Sequence, residues 1–304
     1  EAIDAFDAIP GDVIIKPVDS QGSRGVQVCR TKEELVEKYP EAARWSSAES
    51  KGSVLIEKYI GGGREFVVEG LAFDDDFWNL CIGDTFYFDI DDSLSAKERT
   101  FPTIANDELR DRVLKLNEQI IRGFGLKQGI THSEFIMDGD DIYLLETAAR
   151  GGGAFISSDL IPLSCGLDTA KYLVGIATGT VKSVGDIVEM MGLASADELD
   201  TIALNPLQHC CYVAFYIPAG TVLSVQGADE VRSLPYVHRT QIEHLEDLVG
   251  ATLTSENTDK TSRYLVTISA PDRGTLEERM QFVRNTIKMD IQTPEGDIVG
   301  LIWE

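Results

Sequence analysis

HSEFIMDGDDIYLLETAARGGG, residues 132–153, constrains the fold of this chain more than any other stretch of its 304 residues. Two apolar runs flank the tight polar turn Asp138-Gly139-Asp140-Asp141, which is the pattern of a β-hairpin. Glu134 and Glu146 stand on either side of that turn, so the two strands can bring them face to face. Two converging carboxylates are a means of holding Mg²⁺ against substrate phosphates. Arg150 and Gly151-Gly152-Gly153 follow at once. An arginine next to a metal, with approachable backbone N–H groups, suits a transferring phosphoryl group. A surface hairpin with solvated acids is the other reading of the same residues.

Two earlier segments bear on that choice. Asp12–Pro17 is a short apolar strand carrying Lys16, whose ammonium would be costly in a buried run unless an anion meets it. The loop after it, Val18–Val26, holds Ser20, Gly22, Ser23 and Gly25, so its backbone can approach and cradle phosphates. It is neither a Walker A loop nor a dinucleotide-binding Gly-x-Gly-x-x-Gly. An ordinary hairpin loop has the same composition. Further on, Ser53–Ile60 enters as a strand, the chain bends through Gly61-Gly62-Gly63, and Arg64–Glu69 leaves as another. Such a hinge leaves backbone groups available to an adenine edge, and Glu65 is placed to accept from ribose hydroxyls.

IIKPVDSQGSRGV, LIEKYIGGGREF and HSEF with LLETAARGGG, in that order, resemble the ATP-grasp superfamily of carboxylate-amine ligases over roughly residues 10–180. The resemblance implies that Lys16 contacts the nucleotide phosphates and that residues 19–25 form a lid over them. It implies that Glu57 and Ile60 meet adenine through their backbone with Lys58 nearby, and that Glu65 holds the ribose. Glu134 and Glu146 would bind Mg²⁺, with Mn²⁺ as an alternative, and Arg150 would stabilise the reacting phosphoryl or acyl-phosphate group. Ala148 stands where many members carry an asparagine, a departure from the two-metal pattern. Members usually open with a further domain and an earlier phosphate-contacting lysine, so the chain, starting at Glu1, is expected to be a fragment that folds but ligates poorly alone.

The implied reaction is transfer of the γ-phosphate of ATP to a small carboxylate, giving an acyl phosphate that an amine attacks. Amino-acid or peptide ligation is the expected outcome. A bicarbonate-activating enzyme like biotin carboxylase or carbamoyl-phosphate synthetase shares the nucleotide residues, and a non-catalytic nucleotide-binding module is the third option. The formal charge of −24 argues against nucleic-acid or anionic-membrane partners, which would repel it. No stretch reaches the roughly 20 apolar residues of a membrane span. Five cysteines without Cys-x-x-Cys spacing argue against a disulfide framework or structural zinc, and a reducing cytoplasm is the expected compartment. A homodimer stays open.

The expected fold is α+β: an ATP-grasp small subdomain (residues 1–65), a large subdomain with the metal site (66–183), a linker or insertion (184–205) and a β-rich α+β C-terminal domain (206–304). Thr31 and Glu34 read as a capping box opening a helix that Pro40 should interrupt. Phe73–Asp91 reads as two strands around turns at Asp74-Asp75-Asp76 and Gly83-Asp84, and Asn106 caps an amphipathic helix stopped near Gly125. Residues 167–180 read as a helix closed by Gly179, and Thr275 as the cap of a helix to Lys288. Lys97–Pro102 is a basic island in which Arg99 either binds a substrate carboxylate bidentately or is a solvated loop arginine, the latter favoured. His132, two residues before Glu134 on a strand, points to the same face and lines the site or packs, with packing favoured.

Overall fold

The computed structural model describes residues 2–90, 94–253 and 263–304. The first unit holds α1 (Ala2–Ala8), β1 (Val13–Pro17), β2 (Gln27–Cys29), α2 (Lys32–Trp45) and β3 (Val54–Lys58). Alternation in β1 buries Val13, Ile15 and Pro17 and turns Ile14 and Lys16 the other way. Its strands form an antiparallel sheet in the order β2-β1-β3, and Val13, Ile15, Cys29, Leu35 and Ala42 make its core with α2. Thr31 caps α2 by accepting from the Glu34 N–H, while Glu34 accepts from the Arg30 N–H. Pro40 does not interrupt the helix as expected, since α2 runs through it. The N–H that Pro40 lacks would have bonded the carbonyl of Val36, and both residues lie on the exposed face, where water can serve that carbonyl.

The chain continues through β4 (Arg64–Phe73), β5 (Asp76–Tyr87), β6 (Ala96–Phe101), α3 (Asp107–Phe124), β7 (Gln128–Asp138) and β8 (Asp141–Ala148). A π-helical turn (Ile156–Leu160) leads to α4 (Ile161–Cys165), α5 (Thr169–Thr178), α6 (Val184–Met191) and a 3₁₀ helix (Ala196–Leu204). Then come β9 (His209–Phe215), β10 (Gly220–Gln226), α7 (Ala228–Arg232), β11 (Val237–Thr240), β12 (Thr252–Leu253), β13 (Tyr264–Ala270), α8 (Arg273–Thr286), β14 (Lys288–Gln292) and β15 (Ile298–Val299). Eight strands join in one sheet, β11-β13-β9-β6-β5-β4-β7-β8, and a smaller sheet runs β12-β10-β14-β15. Every strand pair among the described residues is antiparallel, as an α+β fold requires.

Helices cover both faces of the large sheet. Val113, Leu114 and Ile121 of α3 pack near one face, with Phe66, Val68, Ile82 and Phe135 among their strand partners. Asn106 caps α3 and Gly125 ends it in the left-handed conformation, as the sequence indicates. The opposite face packs Val67, Leu71, Ile130 and Tyr212 against Ile156, Leu160, Ile161, Cys165, Tyr172, Ile187, Leu199 and Ile202. Residues 184–204, read as a linker or insertion, are therefore helices seated on this core. No single helix among the described residues is long and apolar enough to cross a membrane, and the bent pair Ile156–Cys165 with Thr169–Thr178 that passes that test jointly gives Ile156, Leu160, Ile161, Cys165 and Tyr172 to the core. All five cysteines are free and buried.

Three further expectations change. Gly83-Asp84 is no turn: β5 runs unbroken from Asp76 to Tyr87, and Asp91 lies outside the described residues. Gly83 is needed because a Cβ there would lie 2.6 Å from the Thr100 carbonyl oxygen, and Asp84 is buried to accept from Arg64, Thr103 and the Ile104 N–H. Lys97–Pro102 is mostly strand β6, with Arg99 buried. The cap of α8 is Asp272, which accepts from both the backbone and the hydroxyl of Thr275. α5 closes at Gly179 as expected.

Candidate active site

Register decides which side chains share a face, because residues directly opposite in an antiparallel ladder point the same way. Glu134 on β7 pairs with Glu146 on β8 and with Val67 on β4. One step along, His132 pairs with Ala148 and with Glu69. In the other direction, Glu65 on β4 pairs with Thr85 on β5, which pairs with Arg99 on β6. Glu65, Glu69, Arg99, His132, Glu134 and Glu146 therefore lie on one face of the large sheet. The hairpin read from the sequence brings the two glutamates together as expected.

A bulge lies where β8 meets the three-stranded sheet. β8 carries one extra residue, Leu145, between the Glu146 and Leu144 pairs, which bends an edge strand locally. The Leu145 carbonyl accepts from Lys16 Nζ at 3.3 Å, and the same ammonium pairs with Glu57 at 2.6 Å. Lys16 thus reaches from β1 to the backbone beside Glu146 and links the three-stranded sheet to the eight-stranded one.

Arg99 and His132 pair directly with carboxylates of this face. The Arg99 guanidinium, 5 % exposed, pairs with Glu134, whose attraction outweighs burial and raises an already high pKa. His132 Nε2 lies 3.0 Å from the same Glu134 oxygen, and its Nδ1 lies 2.5 Å from Glu69. Burial alone would lower the imidazole pKa, but Glu69 and Glu134 hold it up at about 9. His132 is therefore buried as the packing reading requires, yet it also belongs to the site, held between the carboxylates of Glu69 and Glu134. Tyr87 donates to Glu65 at 2.5 Å, and burial with the charges of Glu65 and Glu134 pushes its phenol far up, so it remains a donor.

His132, Glu134 and Glu146 each offer a ligand atom within 4.8 Å of the others. The oxygens of a partly buried and an exposed carboxylate fit a hard divalent cation such as Mg²⁺. The third member of the group, His132, also meets Glu69 through its other ring nitrogen.

The remaining predicted residues fall into three places. Lys58 ends β3 and Ile60 follows it into the Gly61–Gly63 hinge, where a side chain at Gly63 would strike the Met137 carbonyl of β7. Ser20, Gly22, Ser23 and Gly25 lie in the loop between β1 and β2, with Gly22, Ser23 and Gly25 at positive φ. That loop is tied to the end of α2 by Asp19, which accepts from Ser47 and Ser50, and by Arg24 over the Trp45 ring. Arg150 is exposed just past β8, donating to its neighbour Gly151 at 2.9 Å, and no described hydrogen bond joins it to the carboxylates. Arg99 is the reverse case, since its burial and ion pair overturn the solvated-loop reading. Glu69, Tyr87 and the engagement of His132 escape the sequence reading. Alternation along 65–69 and 85–87 is their only local signal, and it carries no partner.

Residues 9–159 match the ATP-grasp domain family. A D-alanine–D-alanine ligase of Fusobacterium nucleatum subsp. nucleatum is 30 % identical over 154 residues, 49 % of this chain and 49 % of that protein. The chain thus spans about half the length of the curated relative it matches. Among solved structures, an L-amino acid ligase of Bacillus licheniformis superposes with a TM-score of 0.69 at 18 % identity, covering 94 % of this chain and 64 % of that one. The biotin carboxylase domain of the Hydrogenobacter thermophilus 2-oxoglutarate carboxylase, solved with MgADP, ADP and bicarbonate, gives 0.64 at 18 % identity, covering 98 % and 60 %. These structural likenesses establish the fold.

Proposed function

On the premise that the chain belongs to the ATP-grasp family through residues 9–159, we propose that it is part of an ADP-forming ligase that activates a small carboxylate as an acyl phosphate for attack by an amine. Amino acids are the substrates we favour, in keeping with the D-alanine–D-alanine ligase relative and the L-amino acid ligase of the same fold.

In this reading Lys16 and the loop bearing Ser20, Gly22, Ser23 and Gly25 hold the phosphates of ATP. Glu57, Lys58 and Ile60 line the adenine, and Glu65, steadied by Tyr87, accepts from the ribose. Glu134 and Glu146 would hold the cation, Mg²⁺ or Mn²⁺, which would offset the charge of the phosphates when bound. Arg99 takes the substrate carboxylate, since a guanidinium pairs with a carboxylate in a planar fork and this one is already desolvated. Arg150 stabilises charge on the phosphoryl group in flight, aided by the N–H groups of the glycine run. The β1–β2 loop keeps water from the acyl phosphate. A reducing compartment suits the five free thiols, and a dimer is in keeping with the dimeric carboxylase domain of the same fold.

The observation that carries the proposal is the opposition of Glu134 and Glu146 with Lys16 bonded to the strand beside them. The test is Mg²⁺-dependent ADP formation requiring both a carboxylate and an amine, screened over amino acids, with Glu146→Gln as control. We expect the variant to fold and to lose turnover, because it removes an anionic ligand of the cation. Wild-type turnover in Glu146→Gln would reduce Glu146 to a hairpin residue.

A further inference from the structure

We infer that Glu69 is a positioning residue that locks the glycine run 151–153 beside the carboxylate pair, an inference that rests on the ligase reading above. Glu69 is fully buried in the middle of β4, among Val67, Val68 and Leu71. Taking a carboxylate out of water is costly unless its oxygens are used. Both are. Oε1 lies 2.5 Å from His132 Nδ1, and Oε2 accepts the Gly152 N–H at 3.0 Å. One side chain therefore ties the loop after β8 to the imidazole that contacts Glu134.

The loop is built around this bond. A Cβ at Gly152 would lie 2.6 Å from Glu69 Oε1 and 2.9 Å from His132 Nδ1, so only glycine fits beside the pair. At Gly153 the same position meets nothing within 4 Å, which leaves that side of the run open to a ligand. Immediately afterwards Ala154 and Phe155 both hold positive φ, at 51° and 64°. Two successive non-glycine residues in the left-handed region persist only where their surroundings over-determine them, and such strain gathers at functional sites. Glu69 fixes the near end of this turn. Arg239 fixes the far end, pairing with Asp159 at 3.0 Å and lying over the Phe155 ring. With the Gly152 N–H given to Glu69, the backbone on either side of it is held in one conformation and needs no reorganisation when negative charge develops in front of it.

The test compares wild type, Glu69→Gln and Glu69→Leu in calorimetric binding of MgADP alone and of MgADP with aluminium fluoride, a mimic of the phosphoryl group in flight. Gln keeps an oxygen that can accept from Gly152, so it should bind both probes within about threefold of wild type. Leu should bind MgADP within about threefold but lose about tenfold or more for the fluoride complex. Equal affinity of Leu and wild type for both probes would overturn the inference, as would equal weakening of both, which marks a merely structural role. Should the Leu protein fail to fold, Gly152→Ala displaces the same loop with Glu69 in place, and it must show the same selective loss for the inference to stand. Wild type failing to bind MgADP at all would instead refute the ATP reading itself.

Discussion

Lys16 shows how one side chain joins two elements. Its side chain is about four-fifths buried and its ammonium pairs with Glu57 and the Leu145 carbonyl, and the proposed reading has it meet phosphate oxygens there. Lys16→Ala should weaken MgATP binding by about 1.5–3 kcal/mol, roughly tenfold to a hundredfold, while leaving the melting temperature nearly unchanged. Titration giving equal affinity for both proteins would remove Lys16 from the phosphate site. Residue-scale legibility was uneven for a physical reason. Glu134 and Glu146 share a hairpin, so local pattern alone placed them opposite each other. Arg99 and Glu69 meet the same site only through the β5–β6 and β4–β7 ladders, and nothing within either strand announces that register.

At the scale of elements, caps were readable and interruptions were not. Thr31, Asn106 and Gly125 act on groups within four residues, so their chemistry is local. Pro40 and Gly83 are decided by what surrounds them. Pro40 leaves an unbonded carbonyl on an exposed face of α2, and Pro40→Ala should restore that bond and stabilise the protein by about 1–3 kcal/mol, read as a rise in the denaturant midpoint. Gly83 lies where β5 approaches β6 too closely for a side chain. Gly83→Ala should destabilise by about 1–3 kcal/mol through overpacking against the Thr100 carbonyl and the Phe101 ring. A neutral result in thermal unfolding would mean that β6 can shift away freely. Asp272 displaces Thr275 as the α8 cap because it reaches both the N–H and the hydroxyl of that residue.

At the scale of the molecule, a three-stranded and an eight-stranded sheet meet where Lys16 bonds the Leu145 carbonyl. The order of the large sheet was beyond the sequence, since β9 enters it beside β6 from more than a hundred residues downstream, with β13 on its other side. The family resemblance supplied the architecture that periodicity could not. The central claim is that nucleotide binds between those two sheets, and hydrogen–deuterium exchange with and without Mg²⁺ and a non-hydrolysable ATP analogue tests it most directly. The account predicts slowed exchange in residues 16–26, 57–65 and 145–153, with α8 unchanged. Protection confined to α8 and the sheet β12-β10-β14-β15, or no protection at saturating analogue, would contradict it.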